Sequence, residues 1–226
     1  MQTCIILAFS AHTGIIPVWA VFFMKKLMKR VIFCLLLAAL VWCGTLISDR
    51  QRLNEELIRL HVVAASDSVA DQSLKLQVRD AVVDSLREAM EDIGDAEQAK
   101  IYLQENLAKI EKIANCALMA AGCDDSAKVT LVEESFGKRG YETFRLPAGV
   151  YSALRITIGE GNGSNWWCVV FPTLCEGATT EEFADIAAGA GFPDSLSGAL
   201  QGEAEYEIRF FLLDVLGRLE NLLHGG

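Results

Sequence analysis

Two thiols, one imidazole and two carboxylates are the side chains with which this chain could do covalent chemistry. Cys168 and Cys175 are separated by six residues. In an exported domain that pair can close a disulfide, stay as buried free thiols, or supply two ligands to a metal, although zinc would ask for a second close pair. His61 as base, Asp67 or Asp80 as orienting acid and Cys168 as nucleophile would make a thiol hydrolase acting on a peptide or cell-wall substrate. The plainer reading has His61 on a strand face, Asp67 at the positive end of a helix, and Asp80 paired with Arg79 or Arg87. No histidine lies between His61 and His224, which excludes multi-histidine metal patterns. Cys116 and Cys123 flank an expected helix end, where a small apolar filler is sufficient. The expectation is therefore of no catalytic residue, no bound metal and no cofactor.

The run Gly159-Glu160-Gly161-Asn162-Gly163-Ser164-Asn165-Trp166-Trp167-Cys168 joins a glycine loop to adjacent indoles and an unbroken apolar stretch through Phe171. Indoles bury large areas and their N–H groups want partners, so the pair suits a buried strand entered through permissive glycines. A strand follows the glycines rather than a helix, so the loop is not a dinucleotide fingerprint. It reads either as a glycine hairpin or wide loop, or as a recognition surface in which Glu160, Asn162 and Asn165 flank an exposed indole, Trp166 or Trp167.

These residues need a scaffold, and the chain has two compositionally distinct parts. Its 226 residues are 52% hydrophobic, with a mean hydropathy of +0.29. The first 48 hold four basic residues (Lys25, Lys26, Lys29, Arg30) and no acid, leaving 16 basic against 30 acidic residues for the rest. Residues 31–47 form 17 positions without a charge. As a helix they would span roughly 25 Å, close to a hydrocarbon core of about 30 Å. The upstream basic cluster keeps the N-terminus cytoplasmic and sends the remainder across. The organisation expected is a cytoplasmic basic region at 1–30, a signal anchor or signal peptide at 31–48, a spacer at 49–56, and one extracytoplasmic domain at 57–226. A start at Met24 or Met28 would leave a complete export signal. Two short membrane segments are the alternative, and would return the domain to the side of the N-terminus. An acidic exported domain repels nucleic-acid phosphates, so the expected partner is protein.

Within the domain, residues 58–65 alternate: Ile58, Leu60 and Val62 on one face, Arg59 and His61 on a more polar one. Ser68 with Asp71, and Asp95 with Gln98, begin two amphipathic helices, the second ending at Gly122. Strand-like segments follow at 129–132, 141–146, 150–158 and 166–171, with Pro147-Ala148-Gly149 suggesting a hairpin between the second and third. Helix returns at 180–188 and 212–223, and 206–210 fits strand or helix. The fold class expected is α+β: an antiparallel or mixed sheet packed against amphipathic helices, preceded by an N-terminal membrane-targeting helix.

Three segments together resemble the stage II sporulation protein R family of endospore-forming bacteria. They are Arg59-Leu60-His61-Val62-Val63-Ala64-Ala65-Ser66-Asp67 running on to Arg79-Asp80-Ala81-Val82; Leu146-Pro147-Ala148-Gly149-Val150-Tyr151 running through the tryptophan pair to Cys175; and Arg209-Phe210-Phe211-Leu212-Leu213-Asp214. The likeness covers 57–219 and departs at Ala65, where the family usually has asparagine. It implies a signalling protein made in the forespore and exported across, or anchored in, the forespore membrane, with its main domain in the intermembrane space. There it would activate a membrane-embedded aspartic protease of the mother cell, stage II sporulation protein GA, which cleaves the sigma-E precursor. The candidate partner-binding residues are His61, Ser66, Asp67, Asp71, Arg79, Asp80, Glu160, Asn162, Asn165, Trp166 and Trp167.

Overall fold

The computed structural model describes residues 18–174 and 179–225, with side chains from residue 23 onward. The chain divides into two units, Met1–Gly44 and Thr45–Gly226. The first contains most of helix α1 (Val18–Glu56), whose stretch from Phe23 is long and apolar enough to cross a membrane, with a mean hydropathy of 2.5 over an 18-residue window.

The second unit is built on a mixed four-stranded sheet. Its strands are β1 (Ile58–Val63), β2 (Ala127–Phe136), β5 (Gly149–Ile158) and β6 (Asn165–Phe171), in the order β2-β5-β1-β6. β1 runs parallel to β5, while β6 and β2 run antiparallel to their neighbours. Helices α2 (Val69–Glu91) and α3 (Ala96–Ala120) cover one face. Both begin as their sequences predict: Ser68 Oγ accepts from Asp71 N, and Asp95 Oδ1 from Gln98 N. These caps satisfy otherwise orphaned helix donors. Ile58, Leu60 and Val62 meet Val78, Val82, Leu103 and Ile110 there, all at most 1% exposed. Burying such a side chain contributes about 1.5–3 kcal/mol.

The other face is also covered. Helices α4 (Thr180–Gly189), α5 (Asp194–Gln201) and α6 (Glu207–His224) pack on it with the C-terminal turns of α1, around Leu53, Tyr151, Val169, Leu196 and Leu213. Residues 49–56, expected as a spacer, are thus an integral part of the unit: Leu53 is wholly buried, and Asp49 and Arg50 nearly so. Residues 206–210 resolve as helix, entered through a 3-10 turn at Ala204–Tyr206.

The expected hairpin around Pro147-Ala148-Gly149 does not form. β5 pairs along its whole length with β2, from Ala127↔Ile158 to Phe136↔Gly149. Residues 137–148 instead make an excursion holding a two-residue ribbon, β3 (Arg139–Gly140) with β4 (Arg145–Leu146). The ten-residue strand β2 offers β5 a far longer ladder than the broken 141–146 segment can.

Candidate functional site

The candidate residues fall into two neighbourhoods on opposite sides of the sheet's β1–β6 half. The first is the end where β1 hands over to α2. Asp67 Oδ1 accepts from both Ser164 N (2.6 Å) and Ser164 Oγ (2.7 Å). Gly163 N donates to Ala64 O (2.9 Å) and Asn162 N to Ala65 O (3.2 Å), so the glycine loop is stitched to the β1–α2 turn. Gly159 and Gly161 hold φ of +55° and +64°, which a side chain would strain. Gly163 answers a different need: a Cβ there would overlap the Ser66 carbonyl. Ser66 donates to Asp71 Oδ2, and Gln72 Nε2 to Ser66 O (2.9 Å). Lys75 Nζ donates to Ser164 O (2.9 Å) and Gln72 Oε1 (2.5 Å).

Electrostatics follow that stitching. The two Ser164 hydrogen bonds hold the Asp67 carboxyl below its usual range. Burial lowers the Lys75 ammonium, against the pull of Asp67. Glu160, Asn162 and Asn165 are exposed around the same end. Trp166 lies on the α2 side of the sheet, with the Arg79 guanidinium 4.3 Å from its ring centre. Arg79 also pairs with Asp80 (2.5 Å), the plainer of the two roles expected of that carboxylate.

The second neighbourhood lies on the opposite face. Trp167 stacks on His61, centroids 5.6 Å apart and planes 18° from parallel, and Arg139 of β3 lies 3.8 Å over the indole. His61 Nδ1 is 2.8 Å from Glu134 Oε2, and Glu134 Oε1 accepts from Arg155 at 3.3 Å. Burial alone would raise the Glu134 carboxyl, but His61, Arg155 and Arg59 outweigh it and hold it below the usual value. Arg59 is fully buried, donates to Tyr141 Oη (3.0 Å) and rests 4.0 Å over Phe136. Tyr151, raised by burial, accepts from Arg50 and donates to Pro147 O. The face expected to be the more polar is a buried polar layer.

This layout decides the fate of the imagined nucleophile. Leu60 pairs with Cys168 and His61 with Trp167, so alternation places the thiol among the α2–α3 core and the imidazole on the other side. The sheet lies between them. Cys168 is disulfide-bonded; Cys175, the partner expected for it, lies outside the described residues. A cleft of about 320 Å³ between α2, β6 and α4, lined by Val83, Leu86, Met90, Val170 and Ile186, holds none of the candidate residues.

Sequence reasoning missed Arg59, Glu134, Arg139, Lys75 and Ser164. Arg59 carried a signal, a charge on a strand that alternates; Ser164 lies inside the glycine run and Lys75 one turn from Asp71 and Arg79 on α2, whereas Glu134 and Arg139 are joined to the candidates only by topology.

Among known proteins, the family model described as stage II sporulation protein R matches residues 54–181, more than half of the chain. The protein of that name from Bacillus subtilis (strain 168) is 39% identical over 123 residues, covering 54% of this chain and 55% of its own length. The chain thus spans about half the length of the curated relative it matches. No solved structure matches. The matched stretch contains β1, the glycine loop, the tryptophan pair and every candidate partner-binding residue, whereas the resembling segment at 209–214 lies beyond it. On that match the chain belongs to the stage II sporulation protein R family.

Proposed function

We propose that the unit from Thr45 onward is an extracytoplasmic sporulation signal that activates the membrane-embedded aspartic protease stage II sporulation protein GA by contact, without turnover of its own. Exported across or anchored in the forespore membrane, it faces the mother cell in the intermembrane space, and the activated protease cleaves the sigma-E precursor. The observation that carries this reading is the end of the sheet where the β1–α2 turn and the glycine loop are joined through Asp67 and Ser164. A loop held this way presents Glu160, Asn162 and Asn165 in one arrangement, so little ordering entropy is lost when a partner docks. Family membership, the apolar helix and the acidic balance of residues 49–226 support the same reading.

Activation by contact is a population shift. The domain must bind the active arrangement of the protease more tightly than the inactive one, and about 1.4 kcal/mol of difference gives each tenfold change in the ratio. A thiol hydrolase would need Cys168 and His61 on one face, and they occupy opposite faces.

The test is co-expression with the protease and the sigma-factor precursor in a non-sporulating host. Cleavage should require this chain, survive His61→Gln, and fall on the paired substitution Glu160→Ala with Asn162→Ala while thermal stability stays unchanged. Cleavage that is indifferent to the chain, or insensitive to the loop pair, sinks the proposal.

A further inference from the structure

Helix α6 is apolar on two sides. Phe210, Leu213 and Gly217 face the core together with Asp214. At about 100° per residue, Ile208, Phe211, Val215, Leu219 and Leu222 fall within an arc of about 80° on the opposite side. That second face is bare: Ile208 is 67%, Phe211 63%, Leu219 53% and Leu222 74% exposed. Apolar stripes of this kind mark an interaction surface.

Charge and tethering select the occupant. Residues 49–226 carry 16 basic against 30 acidic side chains, and such a balance should repel an anionic lipid surface. On α6 the repulsion is cancelled. Its three carboxylates each pair with an arginine: Glu207 with Arg145 (2.9 Å), Asp214 with Arg218 (2.8 Å) and Glu220 with Arg50 (2.5 Å). Arg209, on the first turn of α6, pairs with Asp49 at 2.5 Å. Asp49 lies two residues past the charge-free run 31–47, a reach of about 7 Å at full extension. Leu46, still inside that run, is 4% exposed in the same core cluster as Phe210 and Leu213. In sequence, therefore, the ordered domain follows the run with no intervening linker. Interfacial helices bury their apolar face about 5–10 Å into the headgroup and acyl boundary, a depth this tether permits.

We infer that the outward face of α6 lies in the lipid boundary as an interfacial amphipathic helix, so that the domain rests on the membrane instead of standing off it. The inference depends on residues 31–47 being a retained anchor, one of the two forms that the proposed function allows, but not on any receptor. α6 lies outside the family match at 54–181, so the surface is argued from this chain alone.

Because the anchor alone would hold the chain on vesicles, the test has to be local. The full chain is reconstituted into vesicles of phosphatidylcholine and phosphatidylglycerol, with p-benzoylphenylalanine introduced separately at Phe211, Val215, Leu222, Leu36 and Val69. Leu36 reports the anchor and Val69, 89% exposed at the start of α2, reports open solvent. Lipid adducts at the three α6 positions should exceed those at Val69 by about tenfold or more, as expected of groups below the headgroups. Adducts at Leu36 with none above the Val69 level on α6 overturn the inference and leave the anchor standing. Covalent dimers through the α6 positions overturn it in favour of a second copy. Failure at Leu36 as well overturns the inference together with its anchoring premise. All these substitutions fall on exposed side chains, so loss of folding does not confuse the result.

Discussion

His61 on β1 reaches Glu134 on β2 across an intervening strand, Nδ1 to Oε2 at 2.8 Å, with Arg155 of β5 between them bonding the other carboxylate oxygen. The three groups tie three strands together on one face, and Trp167 of β6 adds the fourth by stacking on the imidazole. A single carboxylate therefore sits at the centre of a network that spans the whole sheet. Its loss takes one partner from both the buried His61 imidazole and the half-exposed Arg155 guanidinium.

That carboxylate makes stability depend on pH in a stated direction. Glu134 has a lower pKa folded than its ordinary 4.5, so its contribution is complete above about 4.5 and disappears as pH falls through the folded value. Glu134→Gln should be less stable than the parent at pH 7 and should show a shallower fall in stability between pH 5 and pH 3. Thermal unfolding of the detergent-solubilised full chain across that range measures both. Parallel curves for the two proteins would remove Glu134 from the acid response.

The two tryptophans should behave as separate devices despite being neighbours in sequence. Trp167 stacks on His61, whereas Trp166 lies across the sheet against Arg79. A double-mutant cycle between His61 and Trp167 should give a coupling of about 0.5–1.5 kcal/mol. The cycle between His61 and Trp166 should give a coupling near zero. Equal couplings would mean that the two indoles communicate through the β6 backbone.

What could be read from the sequence was what depends on near neighbours. Ser68 and Asp95 announce α2 and α3, because a cap and an i, i+4 stripe are local features. The alternation of Ile58, Leu60 and Val62 assigned the inner face of β1 correctly. It could not say that Arg59 and His61 would be buried, because what covers them comes from 136–167 and the C-terminal helices. The hairpin at Pro147 failed for a related reason: turn chemistry permits a hairpin, but β2 outcompetes 141–146 for the same strand. Asp67 does stand just before the α2 cap, but no local pattern announces its hydrogen bonds to Ser164, 97 residues away.

The stitched loops give the sharpest steric test. Gly163→Ala would push a methyl into the Ser66 carbonyl, a backbone atom that cannot swing aside. The substitution should cost about 1–3 kcal/mol, the range for forced overpacking, and should lower protease activation by displacing Asn162 and Glu160. Gly94→Ala, with nothing within 4 Å of the added carbon, is the matched control and should be near neutral. Denaturant unfolding of both variants, read beside the co-expression assay, separates a loop effect from a general glycine effect.

Removal of Arg50 tests whether the end of α1 belongs to the domain. Its guanidinium bridges Glu220 of α6 and Tyr151 of β5, donating to the phenol oxygen at 3.0 Å, and its side chain is 9% exposed. Arg50→Ala would leave Glu220 partly buried without its guanidinium, reduce Tyr151 Oη to its single hydrogen bond with Pro147 O, and open space over Gly149, where the guanidinium now rests. Because Glu220 retains some solvent, the cost should fall below the 3–5 kcal/mol typical of a fully buried broken pair, at about 2–3 kcal/mol. Arg50→Lys should recover only part of it, since an ammonium cannot form the planar fork that reaches both partners. A spacer residue would tolerate either change. Loss of stability in Arg50→Ala, with partial recovery in Arg50→Lys, is what a helix end built into the core requires.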